Sequence, residues 1–303
     1  MKKADLLSTL FVGIDVSSRE NVVCAIDFEQ QKRLRFSVPN NQPGAIMMAE
    51  KLQQFFSNNT DVNKLVVALE STSFYGVHIA NYLSSCETLM PFYTHVYCIN
   101  PKLVANYKKS YVGLGKNDAI DAFIIADFAR VGRITSAPWR GSQFLALQRL
   151  TRHRLHLAKS LMREKTYMLS NIFLKFSEFS ILDDDKQPFS NNYGTTASAI
   201  LTDFLSTEDI ATMSLDALID YICKKGKNRF VNPEHTAYLL QQAARNSYRL
   251  DKCLYEPLTI SIASSFNLIS AYEAEMKVIN KAIEKTLRGL DPNAYQSLLS
   301  IPG

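Results

Sequence analysis

Within the first hundred residues the β-rich runs come in one order: three in succession, then two more, each of these two preceded by a helix-like stretch. After Pro101 they stop. Leu10 to Val16, Asn21 to Phe28 and Lys32 to Val38 are separated by short polar breaks, which predicts two consecutive antiparallel hairpins. Pro43 to Phe56 gathers Ile46, Met47, Ala49, Leu52, Phe55 and Phe56 on one helical face. Lys64 to Leu69 is a short continuous apolar run, as a strand covered on both sides requires. Phe74 to Leu83 reads as a helix and His95 to Ile99 as a strand.

Three strands, helix, strand, helix, strand is the order of a ribonuclease H-like (RuvC-like) fold, so the expected class is α/β with a mixed sheet. The expected continuation is α-helical. Asn117 is placed as N-cap of a helix over Asp118 to Val131, with Ile120, Ile124, Ile125 and Phe128 facing inward. Ser142 to Lys175 contains neither Gly nor Pro, and Leu147, Leu150, Leu157, Leu161 and Met168 keep three- and four-residue spacing. A similar stripe runs from about Phe266 to Leu290, through Ile269, Met276, Ile283 and Leu287. Two such stripes predict an antiparallel hairpin or coiled coil. Asp183 to Thr196 reads as a turn-rich linker, and Thr202 to Arg249 as small helices. The expected domains are 1–140, 141–295 with a small-helix insert, and a last piece, 296–303.

Charge is concentrated in the middle of the chain. Pro101 to Lys175 holds fourteen Lys and Arg against four acids, a balance of +10 in a chain whose total is +5. Such a field favours a polyanionic partner. Five cysteines without a C-x-x-C pair support neither a disulfide framework nor a zinc ribbon, and fit a reducing cytoplasm. No apolar run approaches the roughly 18 residues of a membrane span.

Asp15 closes the first strand and Glu70 the fourth. If these strands are neighbours, both carboxylates emerge at one rim, where sites form. Asp118 and Asp121, three apart, share one face of the following helix. Four acids packed together repel one another unless a cation lies between them, and hard oxygen donors select Mg²⁺ or Mn²⁺. Two such ions about 3.5–4 Å apart serve phosphoryl transfer. Each acid also has a structural reading. Asp15 suits a turn, and Asp118 with Asp121 suits the positive end of a helix dipole. Glu70 is harder to explain as structure, since a carboxylate beside a hydrophobic strand is costly without a partner.

The strings Gly13-Ile14-Asp15-Val16-Ser17, Ala68-Leu69-Glu70-Ser71-Thr72, Asn100-Pro101 and Lys116-Asn117-Asp118-Ala119-Ile120-Asp121-Ala122 resemble the DEDD transposases of the insertion sequence 110 family, relatives of the pilin-gene invertase. The resemblance implies that Asp15, Glu70, Asp118 and Asp121 form a metal tetrad. It implies a coiled-coil segment that makes a homodimer or higher homo-oligomer. It also implies DNA recombination guided by a structured bridge RNA encoded by the element. In that family a second domain with a nucleophilic serine opens near a motif like Ser300-Ile301-Pro302-Gly303, so this chain is expected to be an N-terminal portion of the enzyme. No serine here is assigned as nucleophile. Ser17, Ser71 and Ser73 are expected to act as caps or local hydrogen-bonding groups.

Expected nucleic-acid contacts are Lys102, Lys108, Lys109, Lys116, Arg149, Arg152 and Arg154, with Tyr107 and Tyr111 either stacking on bases or packing on the sheet. His153 and His156 have metal-ligand spacing but sit among Arg149, Arg152 and Arg154, so a basic face is the better reading. Gly113-Leu114-Gly115-Lys116 is not a phosphate loop, because Ser110 stands where that pattern needs Gly and Asn117 where it needs Ser or Thr. Trp139 after Pro138 reads as a packing residue. The competing functions are a non-catalytic nucleic-acid-binding and dimerisation module and a stand-alone junction nuclease. A sugar kinase or actin-like ATPase would need glycine-rich phosphate loops, and the chain has no Gly-Gly pair.

Overall fold

The computed structural model describes residues 6–71, 74–111, 115, 117–179 and 187–301. The chain forms two compact units, 1–146 and 147–303. The first is built on strands β1 (Thr9–Val16), β2 (Glu20–Ile26), β3 (Lys32–Pro39), β4 (Lys64–Glu70) and β5 (His95–Ile99) in the spatial order β3-β2-β1-β4-β5. The β1/β2 and β2/β3 pairs are antiparallel, while β4 is parallel to both β1 and β5. This mixed sheet, with helices on both faces, is the ribonuclease H-like arrangement.

Alternation along β1 divides the core between the two faces. Leu10, Val12 and Ile14 join Leu65, Val67 and Leu69 of β4 under α1 (Gln42–Asn58) and α2 (Tyr75–Ser85), which supply Met48, Leu52, Ile79 and Leu83. Phe11 joins Val66 and Ala68 on the other face, under α4 (Asp118–Arg130) with its Ala122, Ile125 and Ala126. Between β5 and α4 lies a helix that the sequence reading misses, α3 (Pro101–Lys108). Its signal is present: Asn100 caps it by accepting from the Lys102 N–H at 3.0 Å, and Pro101 takes the first-turn position where no N–H is needed. Trp139 packs as expected, against the α1/α2 side of the core, with its backbone N–H on the Val96 carbonyl at 2.7 Å.

The second unit is helical. Helix α5 (Ser142–Lys175), which belongs to this unit from Leu147 on, is followed by α6 (Thr195–Asp203), α7 (Thr207–Thr212), α8 (Leu215–Lys225) and α9 (Pro233–Asn246), then α10 (Tyr255–Leu290) and α11 (Pro292–Leu299). The α5/α10 pair is antiparallel: Arg154 meets Asn280 at 2.7 Å, Lys165 meets Glu273 at 2.9 Å and Lys175 meets Thr259 at 2.6 Å. Helix α10 starts eleven residues before the expected Phe266. The stretch Leu258 to Ser265 is rich in β-branched and polar residues, but burial of Leu258 and Ile262 overrides local propensity, and Pro257 is tolerated in a first turn. Part of the expected 183–196 linker, together with Pro302 and Gly303, lies outside the described residues. Among the described residues no helix is long and apolar enough to cross a membrane, and all five cysteines are free thiols.

One buried cation of this unit yields a pH prediction. Lys175 is 5% exposed and donates to the Leu201 carbonyl at 2.8 Å and to the Thr259 hydroxyl. Burial pushes its ammonium down to about 8 from the ordinary 10.5. Between those values the unfolded chain binds more protons than the folded one, so stability rises with pH across that window. Chemical denaturation followed by helical circular dichroism should show the wild type gaining on Lys175→Met as pH rises through it. Parallel profiles would contradict this placement.

Candidate active site

Asp15 and Glu70 reach one rim because their strands are parallel neighbours in register. Phe11 pairs with Val66, Gly13 with Ala68 and Ile14 with Leu69, so the next row carries Asp15 and Glu70. By the two-residue period Asp15 points to the face of Phe11 and Gly13, and Glu70 to that of Val66 and Ala68. That is the face covered by α4. The helix can lie close because position 13 has no side chain: a Cβ there would stand 2.0 Å from the Ala122 carbonyl oxygen and 2.3 Å from the Ala126 nitrogen. Asn117 caps α4 as expected, accepting from the Ala119 N–H at 2.9 Å, and the first turn carries Asp118 and Asp121.

The acids act on one another electrostatically. Burial raises the Asp15 carboxyl above its ordinary range; Asp118 and Asp121 raise it further, while Lys108 and a backbone N–H oppose them. Glu70 is raised by burial, then by Asp15 and Asp121, again against Lys108. Asp15, Glu70 and Asp121 are partly buried, and Asp118 is exposed. Lys108, expected among the nucleic-acid contacts, ends α3 and pairs its ammonium with the Asp121 carboxylate. The donor set is all oxygen, four carboxyl groups beside one ammonium, which suits a hard divalent cation. As the side chains stand, no three Asp, Glu, His or Cys groups among the described residues are gathered closely enough to hold a metal ion.

The neighbouring serines are occupied with the backbone. Ser17 Oγ accepts from the Glu20 N–H at 3.0 Å and donates to its carbonyl at 2.9 Å. Ser71 Oγ donates to the Ile99 carbonyl at 3.0 Å. Ser73 lies outside the described residues, as do Thr72 and Lys116. Lys102 and Lys109 are exposed in and just after α3, and Arg149, Arg152 and Arg154 are exposed on α5, the last bonded to Asn280. The His153 and His156 rings stack with centroids 6.2 Å apart on the same exposed stretch.

A buried carboxylate anchors the site from behind, and sequence reasoning misses it. Asp127 is 0% exposed. Tyr107 Oη donates to it at 2.5 Å, Arg130 Nε at 2.7 Å and Gln30 Nε2 at 2.8 Å, with Tyr111 Oη as a fourth donor. Burial raises this carboxyl, but the four donors outweigh burial and hold it below its ordinary value. Tyr107 and Tyr111 therefore do not present their rings as free stacking platforms; they tie α3 and the turn after it to α4. Asp127→Ala would strand these donors, and losing one partner of a buried charged network costs about 3–5 kcal/mol. Urea unfolding followed by the fluorescence of Trp139, the sole tryptophan, should show a loss of that size. A midpoint like that of the wild type would contradict the anchor.

Among solved structures, RuvC of T. thermophilus in complex with Holliday junction substrate matches at 14% identity with a TM-score of 0.31, covering 43% of this chain and 99% of that one. No curated protein matches the chain. The family model of the insertion sequence 110 DEDD transposases, described as transposase, matches residues 12–175, a span of more than half of the chain within which Asp15, Glu70, Asp118 and Asp121 lie. The chain belongs to that transposase family.

Proposed function

We propose that this chain carries the divalent-metal site for DNA strand cleavage and exchange in transposition, with Asp15, Glu70, Asp118 and Asp121 as the ligands. The observation that carries the reading is the overlap of two independent pairs: adjacent strand ends bearing Asp15 and Glu70, and the first turn of α4 laid across them at Gly13. Bound Mg²⁺ or Mn²⁺ would offset the charge of the phosphate oxygens as it shifts between the entering and leaving groups. The chain's own residues do the positioning. Asp15 and Glu70 project from the rigid sheet, and Asp118 and Asp121 from the first turn of α4, with Asp118 the exposed member of the four.

Exposed Lys102, Lys109, Arg149, Arg152 and Arg154 supply the sequence-independent phosphate contacts, which salt should weaken. Guidance by a structured bridge RNA and assembly into a homodimer or larger homo-oligomer are proposed on family membership alone. The test is transposition of the element in cells with Asp118→Asn in this chain. Loss of transposition with the protein level unchanged is expected. Wild-type transposition would leave the chain as a nucleic-acid-binding module without catalysis.

A further inference from the structure

The charge at the rim is balanced from within. Lys108 is the last residue of α3, and its ammonium pairs with Asp121 while acting on Asp15 and Glu70 as well. Lys108 sits beside a second tie to the same helix. Its neighbour Tyr107 is tied to buried Asp127, and Asp127 belongs to the same helix as Asp121. A lysine anchored in this way differs from one on a free surface, where a long side chain loses most of the gain from an ion pair to entropy. It brings one positive charge to a place whose donors suit a divalent ion.

We propose that Lys108 is a resident counter-cation of the carboxylate rim, which a divalent ion displaces from Asp121 on binding. This rests on the metal-site reading above. In the metal-free chain the ammonium limits repulsion among the four acids. When a divalent ion takes over that task, Lys108 and the ion repel each other, so the ammonium leaves Asp121 and becomes available to a substrate phosphate at the same rim. Lys108 thus acts through Asp121, holding a metal ligand until the ion arrives.

The experiment uses the whole chain and Mn²⁺ alone, by calorimetric titration and thermal unfolding. Lys108→Gln should lower the metal-free Tm and tighten Mn²⁺ binding about three- to tenfold, because a competing cation is gone. Lys108→Arg, which keeps the charge, should stay near wild type in both. Unchanged or weaker Mn²⁺ binding by Lys108→Gln would overturn the proposal while leaving the metal site intact. A wild type whose Mn²⁺ binding is insensitive to Asp15→Asn would overturn the metal-site reading, and this proposal with it. If Lys108→Gln does not fold, nuclear magnetic resonance of the wild-type lysine ammonium groups decides: Mg²⁺ should move the signal that is missing in Lys108→Arg, and an unmoved signal would overturn the proposal.

Discussion

Gly13→Ala is expected to unseat α4 and abolish transposition, although the residue bears no chemistry. The added Cβ would meet the Ala122 carbonyl oxygen at 2.0 Å and the Ala126 nitrogen at 2.3 Å. Both are main-chain atoms, so no rotamer change relieves the clash and the helix itself must move. Overpacking of this kind costs about 1–3 kcal/mol, and more where the backbone cannot yield. The functional cost is larger, because the same helix carries Asp118 and Asp121 over Asp15 and Glu70. A misplacement of about 1 Å can cost on the order of a hundredfold in rate. Urea unfolding read by Trp139 fluorescence, together with transposition frequency, checks both effects. A variant with wild-type stability would contradict the close approach of α4 to β1.

Glu70→Gln should separate stability from activity. Burial and the neighbouring Asp15 and Asp121 raise the Glu70 carboxyl. Its ionised form is therefore less favoured in the folded chain than in the unfolded one, and the metal-free protein loses stability as pH rises through the Glu70 titration. Glutamine removes that loss, so the metal-free Tm at neutral pH should rise. Transposition should fall at least about a hundredfold, since the proposed metal site loses one of its four carboxylates. The stabilisation that Mn²⁺ gives the wild type should shrink in the variant. A lower metal-free Tm would contradict the repulsive rim.

The sheet is legible in the sequence because its signals are local: alternating and continuous apolar runs mark β1 to β5 within a residue or two of their bounds. The order of those runs then limits the topology. The position of Asp15 and Glu70 at strand ends is equally readable, and so is the cap at Asn117. Helix α3 is hidden because Lys102, Lys108, Lys109, Tyr107 and Tyr111 read as a basic aromatic loop, although Asn100-Pro101 signals a helix start. The pairing of Lys108 with Asp121, and of Gln30, Tyr107 and Tyr111 with Asp127, joins residues at least thirteen apart in sequence, so no spacing rule exposes it; only Arg130, three residues after Asp127 in α4, stands at helical spacing. In the second unit the start of α10 depends on burial of Leu258 and Ile262, a tertiary effect.

Calorimetric titration of the whole chain with Mn²⁺ tests the four-carboxylate site most directly. The wild type is expected to bind, and Asp15→Asn, Glu70→Gln, Asp118→Asn and Asp121→Asn are each expected to weaken that binding while remaining folded. Binding that survives all four substitutions unchanged, or a folded wild type that takes up no Mn²⁺, would contradict a metal site at this rim.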